Sequence, residues 1–195
     1  MITIIDAGGA NLASVANAFE RLNCPWQISK DPDLIYKSEK VLLPGVGSAK
    51  SAMDKVAAAE LTELIPSLSQ PTLGICLGMQ LLFDSSEEGS TPCLGMISGE
   101  VSAIPRVQGI TLPHMGWNQL LFQGRSPLLK GISEKSYVYF VHSFMGPMTE
   151  DCKAYTEYGS KIPALVERDN FFGAQFHPEK SAEIGQQLLR NFIEL

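Results

Sequence analysis

Cys76 sits in Gly74-Ile75-Cys76-Leu77-Gly78, with a glycine two positions to either side. The apolar run 72–75 precedes it, and Met79, Leu81, Leu82 and Phe83 follow at helix-like spacing. Gly-x-Cys-x-Gly between a strand and a helix is the nucleophile-elbow pattern with sulfur in place of oxygen. Such a turn lifts the thiol above a sheet and sets it at a helix N-terminus, where the dipole and free N–H groups favour thiolate. The turn is crowded, so a Cβ at Gly74 or Gly78 is expected to clash. The chemistry on offer is attack on an acyl carbon, with the Leu77 N–H aimed where an oxyanion forms. Taken alone, Cys76 is equally a buried packing cysteine between close-packed glycines.

A thiol nucleophile needs a base, and the base needs an orienting group. The chain has three histidines, His114, His142 and His177. His177 lies in Phe176-His177-Pro178-Glu179-Lys180-Ser181, directly after an apolar strand pattern. In extended chain, positions i and i+2 project to one side, so His177 and Glu179 lie together, with Pro178 stiffening the link. Cys76, His177 and Glu179 then make a complete nucleophile, base and orienter, set on strand ends, where open α/β sheets keep their sites. Read separately, His177 is also consistent with a packed strand-end histidine and Glu179 with a solvated turn carboxylate.

Pro44-Gly45-Val46-Gly47-Ser48 is the second distinctive loop. A Walker loop ending at Lys50-Ser51 needs glycines where Pro44 and Ala49 stand, and a dinucleotide fingerprint needs one at Lys50. Both patterns fail. What remains is a loop after a parallel strand that can present N–H groups to an anion, alongside Leu77, or a plain strand-to-helix turn. A zinc deaminase also shows His-x-Glu but requires Pro-Cys-x-x-Cys downstream, and no cysteine follows His177.

These groups require a frame. Residues 2–5, 26–29, 40–43 and 72–75 read as strands. Between the first two, Leu12, Val15, Ala16, Phe19 and Leu22 recur at helical spacing. Gly8-Gly9 reads as a turn with Asn11 capping that helix, and Ser48 as the cap of a helix holding Met53 and Val56. Strands alternating with helices imply an open, largely parallel α/β sheet covered on both faces. The second half changes to strand-rich antiparallel character, with candidates at 101–104, 117–122, 137–142, 164–166 and 171–175. Asp169-Asn170 reads as a hairpin turn. Ala182, Ile184, Leu188, Leu189, Phe192 and Ile193 form a closing amphipathic helix. Residues 145–163 carry no legible motif.

A chain of 195 residues, 45% hydrophobic and 18% charged, is expected to fold as one domain, 1–195. A net charge of −6 argues against nucleic-acid binding. No apolar run approaches membrane-spanning length. The start, Met1-Ile2-Thr3-Ile4-Ile5-Asp6, reads as a strand and not a signal peptide. Cys24, Cys76, Cys93 and Cys152 are widely spaced with no Cys-x-x-Cys, which argues against disulfides and structural zinc and for a cytoplasmic setting.

The elbow, the Pro-Gly-Val-Gly loop and the His-Pro-Glu segment together resemble the class I (triad) glutamine amidotransferases. Adding His114-Met115-Gly116-Trp117-Asn118 and Tyr139-Phe140-Val141-His142-Ser143, the chain looks, nearly end to end, like the glutaminase subunits of imidazole glycerol phosphate synthases. The resemblance implies Cys76 as nucleophile, His177 as proton carrier and Glu179 as its orienter. It implies Val46 and Leu77 N–H groups as the oxyanion hole, and Gly47, Gln80, Glu88 and Ser143 around bound L-glutamine. It implies no cofactor and no metal. It implies a heterodimer with a (β/α)₈-barrel cyclase that takes up the ammonia, with Trp117, Asn118, Tyr139 and Lys180 near that interface. Each residue also has a plainer reading: Gln80 and Glu88 as ordinary helix and turn surface, Trp117 and Tyr139 as core, Lys180 as a solvated charge. The rival readings are a glutaminase serving another synthase, a free-standing cysteine hydrolase, and a silent amidotransferase-like subunit. Two departures stand out: Asp6-Ala7-Gly8-Gly9-Ala10-Asn11 has alanines where the family usually has Tyr and Gly, and Phe144 replaces a usual Tyr.

Overall fold

A computed structural model describes residues 1–6 and 12–195. The Gly8-Gly9 turn, the Asn11 cap and the Ala7 and Ala10 departures lie outside the described residues. The first half runs β1 (Ile2–Ile5), α1 (Leu12–Arg21), β2 (Trp26–Ser29), α2 (Pro32–Tyr36), β3 (Lys40–Gly45), α3 (Ala49–Ala58), α4 (Leu64–Ser67), β4 (Thr72–Cys76) and α5 (Leu77–Gln80). The second half runs β5 (Phe83–Ser86), β6 (Thr91–Pro92), β7 (Ile97–Ala103), β8 (His114–Gln119), β9 (Leu121–Phe122), β10 (Tyr137–His142) and β11 (Phe144–Met145). It ends with β12 (Cys152–Glu157), β13 (Lys161–Arg168), β14 (Phe171–Ala174) and α6 (Ala182–Glu194).

The main sheet has the order β2-β1-β3-β4-β14-β13-β12-β9. The pairings from β2 to β14 are parallel and those from β14 to β9 antiparallel. The parallel half is covered on both faces, which is why its strands read as continuous apolar runs. Alternation sends Leu42 to a core with Phe19, Leu189 and Phe192 of α1 and α6. It sends Val41 and Leu43 to a second core with Ala52 and Val56 of α3. Each fully buried Leu, Ile or Phe contributes about 1.5–3 kcal/mol. Two further sheets lie outside: the ribbon β8–β10 and the four-stranded β11-β7-β5-β6. The largely parallel α/β sheet with an antiparallel second half is therefore present as expected.

Three details differ from the sequence expectation. The Met79–Phe83 pattern does not continue as a helix: α5 is one turn, and Phe83 opens β5, pairing with Ile97. Asp84, Ser85 and Ser86 are weak helix formers, and burial of Phe83 in the second core decides the outcome. The expected strand 117–122 is two strands that part at the fully buried Leu120, β8 joining the ribbon and β9 the main sheet. Within the motif-free stretch 145–163 lies β12, whose Cys152, Ala154 and Thr156 alternate inward.

Candidate active site

Three parallel strands end at one place. β3 runs into the Gly45-Val46-Gly47 loop, β4 into Cys76, and β14 into Gln175 and His177. Cys76 has φ 55° and ψ −111°, a left-handed value for a non-glycine residue at the strand-to-helix turn. Side chains tolerate that only where the surroundings hold it, a recurring property of functional sites. The surroundings here are close-packed backbone. A Cβ on Gly78 would fall 1.8 Å from the Leu43 carbonyl oxygen, and one on Gly74 would fall 2.5 Å from that of Gly78. The glycine requirement read from the motif is thus a backbone-on-backbone contact between β3, β4 and α5.

His177 follows β14 and opens a short 3₁₀ turn, Pro178–Lys180. Its ring Nδ1 meets Glu179 Oε1 at 2.7 Å, and the Glu179 side chain is fully buried. Nδ1–H therefore points at the carboxylate, which leaves Nε2 to serve Cys76 in the cavity both residues line; the thiol itself donates to the Val141 carbonyl at 3.8 Å. Burial pulls the His177 imidazolium down, but hydrogen bonds with Cys76 and Glu179 and their negative charge outweigh it, and the group is pushed up to about 9. The turn is anchored from both sides. The His177 N–H donates to the Tyr139 carbonyl, and Ser181 Oγ takes the Tyr139 N–H while donating to the His177 carbonyl. Gly185 of α6 packs so closely that a Cβ would lie 1.9 Å from the Pro178 carbonyl oxygen.

A cavity of about 580 Å³ opens beside the sulfur, a size suited to a small molecule. Cys76, Leu77, His177, Val46 and Gly47 are on its wall, and Gly47 has φ +93°. Gln80, Glu88 and Ser143 are on it as well, so the residues expected around a small amide substrate converge there. Leu77 is the first residue of α5, where helix N–H groups have no partner within the helix. Glu88 Oε2 accepts the Ala49 N–H at 2.7 Å, a carboxylate set against the N-terminus of α3. Gln80 Nε2 donates to the Phe144 carbonyl and to Gln175 Oε1, both at 2.9 Å.

Of the remaining expected residues, Lys180 borders the cavity, and Trp117, Asn118 and Tyr139 are on the ribbon β8–β10. Trp117 is 52% exposed and touches half-buried Tyr139, its cross-strand partner, edge to face at 6.0 Å. Lys180 is exposed at the cavity mouth. Asn118, one residue from Trp117, is on the opposite face of β8, and its amide turns inward onto His114. Sequence reasoning passes over Gln175, the His114–His142 pair, Gly185, and the exposed Met115 and Tyr137 beside Trp117. The one clue for Gln175 is its position two residues before His177, as Glu179 is two after.

A protein of Yersinia pseudotuberculosis named imidazole glycerol phosphate synthase subunit HisH is 48% identical to this chain, covering 100% of it and 99% of that protein. One of Xanthomonas campestris with the same name is 47% identical, covering 100% and 97%. A crystal structure of a glutamine amidotransferase superposes with a TM-score of 0.76 at 17% identity, covering 99% of this chain and 97% of that one. A structure of PurLQS from Thermotoga maritima gives 0.74 at 19%, covering 99% and 97%. Both structures share the fold. The family model of class-I glutamine amidotransferases matches residues 3–195, nearly the whole length that carries the elbow, the loop and the His-Pro-Glu turn. The chain belongs to the class-I glutamine amidotransferases.

Proposed function

We propose that this chain is the glutaminase subunit of an imidazole glycerol phosphate synthase: it hydrolyses L-glutamine to glutamate and ammonia and passes the ammonia to a cyclase subunit in histidine biosynthesis. The observation that carries the reading is a thiol on a strained elbow, sharing one cavity with an imidazole whose Nδ1 is held by a buried carboxylate. The full-length similarity to proteins named as that subunit selects the pathway.

In this mechanism Cys76 Sγ attacks the side-chain amide carbon of glutamine, and an S–C bond forms. The carbonyl oxygen becomes an oxyanion on the Val46 and Leu77 N–H groups. His177 Nε2 delivers its proton to the amide nitrogen, the C–N bond breaks and ammonia leaves. Water then attacks the γ-glutamyl thioester, His177 takes its proton, and glutamate departs as the thiolate is restored. Glu179 holds Nδ1–H throughout and so fixes the imidazole tautomer. Glu88 is the only carboxylate among the described residues lining the cavity and is suited to the α-ammonium of the substrate. Gln80, Gly47 and Ser143 complete the cradle.

Ammonia released in water is protonated and lost, so the reading includes a (β/α)₈-barrel cyclase bound as a heterodimer. Exposed Met115, Trp117 and Tyr137, with Tyr139 and Lys180, give one apolar face with a cationic edge beside the cavity. Large exposed apolar side chains grouped this way suit a protein interface. Asn118 takes part from the inner side of the same strand. Among the described residues no helix is long and apolar enough to cross a membrane. The cysteine thiols are free, which suits the cytoplasm.

The test is glutamate release from glutamine by the purified chain, alone and with a barrel cyclase loaded with its phosphorylated substrate. Low activity alone, a large rise with the loaded partner and none for Cys76→Ala are expected. Full activity without a partner, or near-normal turnover of Cys76→Ala, would overturn the reading.

A further inference from the structure

Hydrogen-bonding groups lie between the ribbon β8–β10 and the nucleophile, and of these the mechanism above uses only the Gln80 side chain. Asn118 Nδ2–H donates to the Glu157 carbonyl at 3.0 Å and to His114 Nε2 at 3.3 Å. His114 Nδ1 and His142 Nε2 are 2.9 Å apart across a register pair of the ribbon. His142 Nδ1 meets the Phe144 carbonyl at 2.7 Å, and that same oxygen accepts from Gln80 Nε2 at 2.9 Å. Gln80 Nε2 also donates to Gln175 Oε1, and Gln175 Nε2 points at Cys76 Sγ at 3.8 Å. His114 and His142 are buried, and His114 is stacked between Phe140 and Tyr158 at 4.6 and 4.1 Å.

The polarity of the whole chain of groups follows from one atom. The Phe144 carbonyl can only accept. On one side His142 Nδ1 must then carry its proton, so His142 Nε2 accepts, His114 Nδ1 donates, and His114 Nε2 accepts from Asn118. On the other side the Gln80 amide must present nitrogen, so Gln175 presents its oxygen to Gln80 and its nitrogen to the sulfur. One assignment satisfies every group without a clash of like partners. It leaves Gln175 able only to donate to Cys76 Sγ, while the Val141 carbonyl, also 3.8 Å from the sulfur, can only accept the thiol hydrogen. Burial pushes both His114 and His142 down to about 4, which keeps the pair neutral, as this pattern requires.

We propose that the Phe144 carbonyl joins two polarised arms, Asn118–His114–His142 from the aromatic ribbon and Gln80–Gln175 beside the nucleophile, with Gln175 the positioning residue that turns a donor onto Cys76 Sγ. Phe144 supplies its backbone oxygen, so the side-chain hydroxyl it lacks relative to the family is not needed here. The carbonyl fixes each arm separately, so the tautomers of both histidines and the orientation of Gln175 are set by one oxygen. The inference rests on the glutaminase reading solely in taking Cys76 as the nucleophile.

The test uses the full chain with ¹⁵N-labelled histidine. NMR is expected to show His114 and His142 as neutral Nδ1–H tautomers at pH 7, a signature that needs no turnover. An Nε2–H tautomer at either ring would overturn the proposal, whatever the activity. Gln175→Glu keeps the acceptor for Gln80 but turns an acceptor on the sulfur. Alkylation of Cys76 at pH 7, followed on its own peptide, should slow about tenfold, the loss expected when a hydrogen bond to a charged group is removed. The glutaminase kcat should fall with KM held. Asn118→Asp, which cannot donate to His114, should disturb the His114 tautomer and leave that alkylation rate unchanged. An unchanged alkylation rate in Gln175→Glu would overturn the proposal. Slowed alkylation and the expected tautomers in a chain that releases no glutamate even with a loaded barrel cyclase would overturn the glutaminase reading alone.

Discussion

Replacing Glu179 by Gln keeps the shape of the His177 turn and removes one charge. The Glu179 carboxylate is fully buried and 2.7 Å from His177 Nδ1. A hydrogen bond to a charged group is worth about 1.5–3 kcal/mol against about 0.5–1.5 kcal/mol for a neutral one, a difference of about 1–1.5 kcal/mol. Since about 1.4 kcal/mol is one pH unit, the His177 midpoint should fall by roughly one unit from its position at about 9. The rate should fall further, by at least ~10²-fold, because the amide can also present nitrogen to Nδ1 and trap the wrong tautomer. The assay is an imidazole ¹⁵N titration of the parent and the variant, paired with a pH–rate profile for glutamate release. The stability consequence has a definite sign. His177 is raised in the fold, so its contribution is complete below about 6.5 and is lost as pH rises through about 9. In the variant that loss begins at lower pH. A His177 midpoint that stays near 9, with kcat within about twofold of the parent, would refute the orienting role; a factor of two is well under the ~10²-fold loss argued above.

Gly185→Ala sets two effects against each other: Ala is the better helix former by about 1 kcal/mol, but its Cβ would lie 1.9 Å from the Pro178 carbonyl. Overpacking of about 1–3 kcal/mol or more against backbone wins, so we expect a lower Tm and a loss of kcat as the His177 turn shifts; calorimetry and glutamate release check both. His114 and His142 are pushed down to about 4 by burial, so between pH 6.5 and 4 the unfolded chain binds more protons than the fold. Urea unfolding should therefore show stability falling as pH drops from about 6.5 to about 5, by up to about 1.4 kcal/mol per unit for each histidine; a flat profile would count against the neutral pair. His177 opposes this only near pH 6.5, where its unfolded imidazole is half protonated, and adds nothing below about pH 5.5, where it is protonated in both states. Trp117→Ala should weaken binding of a barrel cyclase by about 2 kcal/mol or more, as a buried aromatic anchor does, while leaving the far-ultraviolet dichroism of the free chain unchanged; calorimetric titration reads the affinity.

The parts of this molecule most legible in the sequence are those where one residue type has one physical use. The elbow glycines are required by backbone contact, and the His-x-Glu spacing places both groups on one side of an extended segment. The parallel strands announce themselves because both faces are buried. Phe83 escapes such a reading because helical spacing over four residues cannot be told from a turn that delivers a side chain to a second core. β12 escapes it because its inward residues, Cys152, Ala154 and Thr156, are small or polar and give a weak alternation. The histidine pair is not legible, since it depends on a cross-strand register that pairs His142 with His114. No spacing within one segment reveals that. Asn118 shows the same limit: Trp117 and Asn118 are neighbours in sequence, yet the pleat sends them to opposite faces.

The measurement closest to the central claim is capture of the acyl-enzyme. The purified chain, with partner where turnover requires it, is mixed with labelled glutamine, quenched in acid and digested. The account predicts a γ-glutamyl label on the peptide carrying Cys76, absent from Cys76→Ala. Glutamate formation with no label on Cys76, or with label on Cys24, Cys93 or Cys152 instead, would contradict it.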